Sequence, residues 1–220
     1  MPDDPADDPA PDLARQRRDY ANPPLDAATL HDDPLIELAS WVDTAVAAGV
    51  VEPNAMTLAT VDGDGQPSAR IVLLRGLDHG LVFFTNYDSR KGAELTANPR
   101  AAVVLCWLAL ARQVRVTGVC ERVSDAASDR YWSSRPTGSR VVSAASPQSS
   151  VLADAADLDT RIAQVRHRHP DGQVPRPVHW GGYRLRPDTV EFWLGRPDRR
   201  HERIRYRRNN TGWSTVRLAP

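Results

Sequence analysis

Thr85, Ser89, Arg90 and Lys91 stand where an apolar run, LVFFTN at 81–86, gives way to a serine-capped helical start. Hydroxyls, free backbone N–H groups and two cationic heads converge there, a grouping that suits a phosphate. Arg70 and Arg75 bracket the apolar IVLL nearby. A second set, Tyr131, Arg135 and Ser139, recurs every four residues and shares one face if a helix runs on past Pro136. A third, Arg199, His201 and Arg203, alternates, so on a strand all three side chains would aim to one side. The plainer readings are a solvated charged edge for the first set and a basic surface strand for the third. Lys91 is the only lysine among the 28 Lys and Arg residues, so the single ammonium of the chain stands inside the first set.

Other chemistries find no footing. The six histidines show no HExxH or paired spacing, so no metal is expected. No GxSxG elbow is present, and DGDGQP at 62–67 lies between two strand-like runs, which makes it a hairpin turn and not a phosphate loop. Cys106 and Cys120 sit in apolar runs and read as buried thiols. Lys plus Arg equal Asp plus Glu at 28 each, which excludes a polybasic role. The seven arginines between Arg196 and Arg208 lack the interleaved aromatics of a nucleic-acid platform, so no nucleic acid partner is expected. Apolar runs such as 101–111 fall well short of the roughly 20 residues that span a bilayer, and the acidic MPDDPADDPAPD start is unlike a signal peptide. A cytoplasmic protein with no membrane partner is the expectation.

These sets need elements to hold them. Residues 1–34 carry seven prolines and nine acidic residues, too few apolar groups to offset ordering, so a disordered arm precedes one domain over 35–220. Apolar spacing from Pro34 to Val46 predicts a helix that Gly49 stops. Short β-branched and aromatic runs predict strands at 56–62, 69–76, 81–86, 101–108, 112–123, 179–186, 189–194, 203–208 and 212–218. Helices are predicted from Ser89 to about Asn98, from Ser124 to about SSRP, and over 154–168, with VVSAASPQSS (141–150) as a loop. Strand groups with helices inserted between them argue for a mainly antiparallel barrel of α+β type.

RIVLLRG, FFTNYDSRKG, ARQVRVTG, YWSSRPTGS, PQSS, HWGGYRL and VEFWLGRPDRRHERIRY, in this order and with a terminal RLAP, resemble the pyridoxine (pyridoxamine) 5′-phosphate oxidase family over about residues 35–220. The resemblance implies an FMN-binding split β-barrel with peripheral helices, and a homodimer holding FMN at the subunit interface. It implies oxidation of vitamin B6 phosphates to pyridoxal 5′-phosphate, with dioxygen as acceptor and peroxide released. Matched residue by residue, Arg70, Arg75, Phe84, Thr85, Ser89, Arg90, Lys91, Gln113, Gln148, Ser149, Trp193 and Arg203 would contact FMN, some from the partner subunit. Arg75, Tyr131, Arg135 and Ser139 would hold the substrate phosphate. Arg199 and His201 would close over the pyridine ring as the catalytic pair.

The chain departs from the family pattern at Arg75 for Lys, Phe84 for Tyr, Val142–Ser143–Ala144 for GAW, Leu194 for Gln and Arg200 for an aliphatic residue. Loss of a Trp-sized contact widens a pocket, and Gln to Leu removes a donor and an acceptor. Two other readings therefore stand beside the first. One is an FMN oxidase of an aromatic secondary metabolite, like the phenazine-biosynthesis oxidases that resemble this family. The other is a flavin or pyridoxal phosphate carrier without turnover.

Overall fold

The computed structural model describes residues 19–220. Helix α1 (Pro34–Ala47) starts at the Asp33 cap, whose carboxylate accepts from Leu35 N, with Pro34 pre-set for the first turn. It is followed by β1 (Ala55–Val61), β2 (Pro67–Leu73), the two-residue β3 (Gly76–Leu77), β4 (Leu81–Asn86), α2 (Arg90–Ala97), β5 (Arg100–Trp107) and β6 (Arg112–Arg122). Three helices come next, α3 (Asp125–Ser134), α4 (Thr137–Ala145) and α5 (Ala155–Arg168), and then β7 (Trp180–Leu194), β8 (Glu202–Asn209) and β9 (Gly212–Leu218). All nine strands join one antiparallel sheet in the order β2-β1-β5-β6-β7-β4-β3, with β8 and β9 continuing from β7. The barrel class expected from the strand pattern and the resemblance is the one observed.

β7 organises the molecule. From Tyr183 to Leu194 it pairs with β6 on one side, while on the other Trp180–Leu185 pairs with β4 and Thr189–Leu194 with β8. The strands expected at 179–186 and 189–194 are therefore a single strand, and Pro187–Asp188 is a bulge in it, where the register against β6 shifts between Thr117 and Gly118. A proline has no N–H for a central ladder, so the bulge is where it fits. Gly118 opposes the bulge so closely that a Cβ would lie 1.9 Å from Arg186 O.

The inner faces of β1, β5 and β6 alternate buried with more exposed residues, and together with β7 they contribute Leu58, Val103, Leu105, Val114, Val116, Leu185, Val190 and Phe192, all fully buried. Trp41 of α1 closes this core, its ring edge-on to Phe192 at 5.0 Å. A second cluster, Trp132, Val141, Val165, Val174 and Trp180, ties α3, α4 and α5 to the start of β7.

Four sequence expectations change. Cys106, expected to be buried, is exposed, because on β5 it points outward between the inward Leu105 and Trp107, while Cys120 is buried as expected. The segment 141–150 is not all loop: residues through Ala145 form α4, which starts afresh after Pro136 and buries Val141 in the second cluster. Pro136 thus ends one helix and precedes another, because a proline that would break a helix interior is harmless ahead of the first turn. Arg199 is not on a strand with His201 and Arg203. It ends a short 3-10 turn, Pro197–Arg199, in which Asp198 and Arg199 both take left-handed conformations, and β8 begins only at Glu202. The expected disordered arm falls outside the described residues up to 18. From Asp19 the chain lies on the body, through Tyr20 against Trp193 and His201, Asn22 Nδ2 on Leu110 O and Gly195 O, and His31 O accepting from the Tyr206 hydroxyl. Tyr20, Leu25 and Leu30 supply the apolar contacts that the proline and acid count hid.

Candidate functional site

The first set of residues converges at the N-terminus of α2. Ser89 caps the helix with its Oγ accepting from Gly92 N, and Gly92 is required because a Cβ there would lie 2.0 Å from Tyr87 O. Lys91 folds back into the sheet and donates to Thr85 Oγ1 (3.0 Å), Ser89 Oγ (3.1 Å) and Gln148 Oε1 (2.8 Å). Burial, and then the neighbouring Arg70, push its ammonium down from 10.5 to about 8, while Glu94 works the other way.

Glu94, which the sequence reading passed over, is the hub of the adjacent cations. It accepts from Arg70 Nη2 (3.0 Å), Arg90 Nε (2.8 Å) and the hydroxyls of Thr60 and Ser68. Burial opposes its charge, but these hydrogen bonds together hold the carboxyl at about 2. The signal available in sequence was its position four residues after Arg90 on a short helix. Its folded value lies below its ordinary 4.5, so its stabilisation is present above that pH and lost as the pH falls through about 2. Acid titration should therefore remove about 3 kcal/mol from wild type between pH 4.5 and 2 that Glu94→Gln lacks, read as the difference between their urea midpoints across that range.

Next to this cluster a pocket of about 280 Å³ is lined by Arg75, Phe84, Thr85, Tyr131, Arg135, Ser143, Gln148 and Trp180, among others. Its wall is a stack of rings: Tyr131 lies on Phe84 at 3.9 Å and 18°, and Trp180 lies nearly parallel to both. Arg135 sits over the Trp180 ring at 4.6 Å, and Arg75 approaches the Tyr131 ring at 6.0 Å. Arg135 Nη2 donates to Ser143 Oγ at 3.0 Å, whereas its Nη1 is buried and has no partner. A buried guanidinium N–H left unpaired is costly unless an anion arrives to accept it. Ser139, expected on one face with Tyr131 and Arg135, is exposed on α4, since the break at Pro136 sets it off the α3 face. Ser143, one turn later, meets Arg135 instead.

The remaining expected residues lie at the far end of β7. Gln113 on β6 and Arg203 on β8 both stand in register with Trp193, whereas Thr85 pairs with Gly181, roughly 40 Å of strand path away. There Arg203 Nε and Arg115 Nη2 grip the buried carboxylate of Glu191 at 2.8 and 2.7 Å. The His201 ring leans on Trp193 at 4.7 Å, its Nδ1 accepting from Arg196 N, and Arg199 is exposed. Ser149 is exposed and left-handed (φ 74°) beside Gln148. Leu194 is buried in the main core. The expected residues of one chain therefore fall into two separate groups at opposite ends of β7.

The pyridoxamine 5′-phosphate oxidase family matches residues 42–169, and the pyridoxine 5′-phosphate oxidase C-terminal dimerisation region matches residues 180–220. The chain belongs to the pyridoxamine 5′-phosphate oxidase family. Among relatives in that family, pyridoxine/pyridoxamine 5′-phosphate oxidase 1 of Ralstonia nicotianae is 56% identical over 210 residues, covering 94% of this chain and 99% of that protein. The pyridoxine/pyridoxamine 5′-phosphate oxidase of Thermosynechococcus vestitus is 52% identical over 209 residues, with the same coverage. The crystal structure of PhzG from Burkholderia lata, in complex with tetrahydrophenazine-1-carboxylic acid, superposes with a TM-score of 0.84 at 34% identity, covering 88% of this chain and 95% of that one. Among the described residues no helix is long and apolar enough to cross a membrane.

Proposed function

We propose that this chain is an FMN-dependent oxidase that converts pyridoxine 5′-phosphate and pyridoxamine 5′-phosphate to pyridoxal 5′-phosphate. The alcohol loses two hydrogens to dioxygen, giving aldehyde and hydrogen peroxide. The amine does the same and takes up one water as ammonia leaves. The observation that carries the reading is the unpaired, buried Nη1 of Arg135 in a pocket of stacked rings, within reach of a second anion site at Lys91. Two phosphates are called for, one on the cofactor and one on the substrate, and there are two cationic groups to meet them.

The residues present fit FMN. Lys91, Thr85, Ser89 and the α2 N-terminus offer an ammonium, hydroxyls and free N–H groups to its phosphate, with Arg70 and Arg90 held alongside by Glu94. When bound, FMN supplies the two-electron acceptor that dioxygen then reoxidises. The chain's own part is placement: Arg135, Tyr131 and Arg75 fix the substrate phosphate, and the aromatic wall at Phe84 and Trp180 excludes water.

The pocket of one chain is smaller than the roughly 300–1,000 Å³ of ordinary ligand sites, and Gln113, Trp193, Arg199, His201 and Arg203 lie far from it. In this reading a homodimer completes each site, with one copy's second half-site meeting the other's pocket. The C-terminal dimerisation region, which contains Trp193 to Arg203, supports that arrangement.

Mixing FMN-loaded protein anaerobically with each B6 phosphate and then admitting air tests the function. Bleaching of the flavin followed by recovery is expected. A flavin that stays oxidised with both phosphates would instead favour an aromatic metabolite, the reading to which the likeness to PhzG and the small Ala144 side chain lend weight. Multiple turnovers with peroxide release dispose of a carrier role.

A further inference from the structure

Arg176 takes no part in the sets already described, yet its three hydrogen bonds tie α3 to Trp180 of the pocket wall. Its side chain is only 12% exposed. Nε donates to Asp129 Oδ1 at 2.6 Å, Nη2 to Asp125 Oδ1 at 2.8 Å, and Nη1 to the backbone carbonyl of Trp180 at 2.7 Å. Asp125 and Asp129 lie one turn apart in the first half of α3, and its second half delivers Tyr131 and, at the C-cap, Arg135 to the pocket. Trp180 is the ring over which Arg135 sits. Pro175 and Pro177 flank Arg176 and restrict the backbone that presents it.

We infer that Arg176 is a positioning residue for the substrate pocket, a three-way clasp that fixes the base of α3 to the backbone of Trp180 and so sets Arg135 against its ring. An exposed ion pair with Asp125 or Asp129 alone would contribute little. The difference lies in the third bond, which makes a planar guanidinium bridge two separate elements at once, something a lysine with its single nitrogen does poorly. Arg135 follows Asp129 by six residues, about 9 Å of helix, so a small tilt at the clasp shifts Arg135, and misplacement of order 1 Å at a binding group has large kinetic consequences. Two other ties, Gly182 N to Ser128 Oγ at 3.2 Å and Trp132 Nε1 to Val174 O at 2.8 Å, keep α3 docked without Arg176.

The inference rests on Arg135 holding the substrate phosphate, and the test separates the two claims. Steady-state kinetics with pyridoxine 5′-phosphate would be run on FMN-loaded wild type, Arg176→Leu, Arg176→Lys, Arg135→Ala and the Arg176→Leu/Arg135→Ala double variant. Arg176→Leu is expected to raise KM about tenfold, with kcat changing much less, and Arg176→Lys to recover only part of that. In the Arg135→Ala background the same change should cost less than twofold in kcat/KM, because the clasp acts through Arg135. An unchanged KM in Arg176→Leu, or a full tenfold loss added on top of Arg135→Ala, overturns the inference. If Arg135→Ala itself leaves KM unchanged, the substrate reading fails instead. Should Arg176→Leu not fold, Asp125→Asn/Asp129→Asn loosens the same clasp while keeping the bond to Trp180 O. An intermediate rise in KM is then expected, and no rise counts against the inference.

Discussion

Lys91→Met is expected to weaken FMN binding by about a hundredfold while changing riboflavin binding less than threefold, measured by quenching of flavin fluorescence on titrating the apo-protein. The size follows from removing a buried ammonium that already organises Thr85, Ser89 and Gln148, so that both a charge and the alignment of two hydroxyls are lost. Riboflavin lacks the phosphate and should be indifferent. A comparable loss for both ligands would place Lys91 away from the phosphate.

The same residue makes the pH dependence run in two directions. Its value is near 8 in the folded chain against 10.5 ordinarily, so between those pH values the unfolded chain holds more protons and this group's contribution to stability rises with pH, by up to about 3 kcal/mol. On the proposed reading, in which the FMN phosphate meets this ammonium, FMN affinity should fall over the same interval. Both trends should vanish in Lys91→Met, and a wild-type affinity flat from pH 7.5 to 10 would remove the ammonium from the account.

Arg135→Ala should raise KM for pyridoxine 5′-phosphate by about a hundredfold and leave FMN affinity within twofold. The guanidinium makes one bond to Ser143, packs on Trp180 and Trp132, and has a buried Nη1 with nothing to accept from it. A charge-assisted bond to a phosphate oxygen would relieve that cost only when substrate is present. The packing on the two indoles is lost as well, so melting should be followed in parallel, and a fall in Tm without a rise in KM would make Arg135 structural. Arg135→Lys keeps the charge but not the planar fork, and an intermediate KM is expected from it.

Local order along the chain was legible at the level of residues. β4 begins and ends where its apolar run does, Ser89 caps α2, and α1 spans the periodic stretch behind Pro34, because period and capping chemistry act within a few residues of themselves. The motif order from RIVLLRG to RLAP led to the family that the comparisons establish. What the one-dimensional reading could not supply was every relation that depends on non-local burial. Val141 turned an expected loop into α4 by finding the second cluster, and that helix placed Ser143, not Ser139, on Arg135. Glu94 and Arg176 matter through partners 24 to 34 and 47 to 51 positions distant in the chain as well as near ones, and no spacing rule reaches that far. Most of all, the residues that share one motif order are divided between opposite ends of β7. A single long strand holds the two groups apart, and only the path of the sheet decides which side chains of one chain can meet.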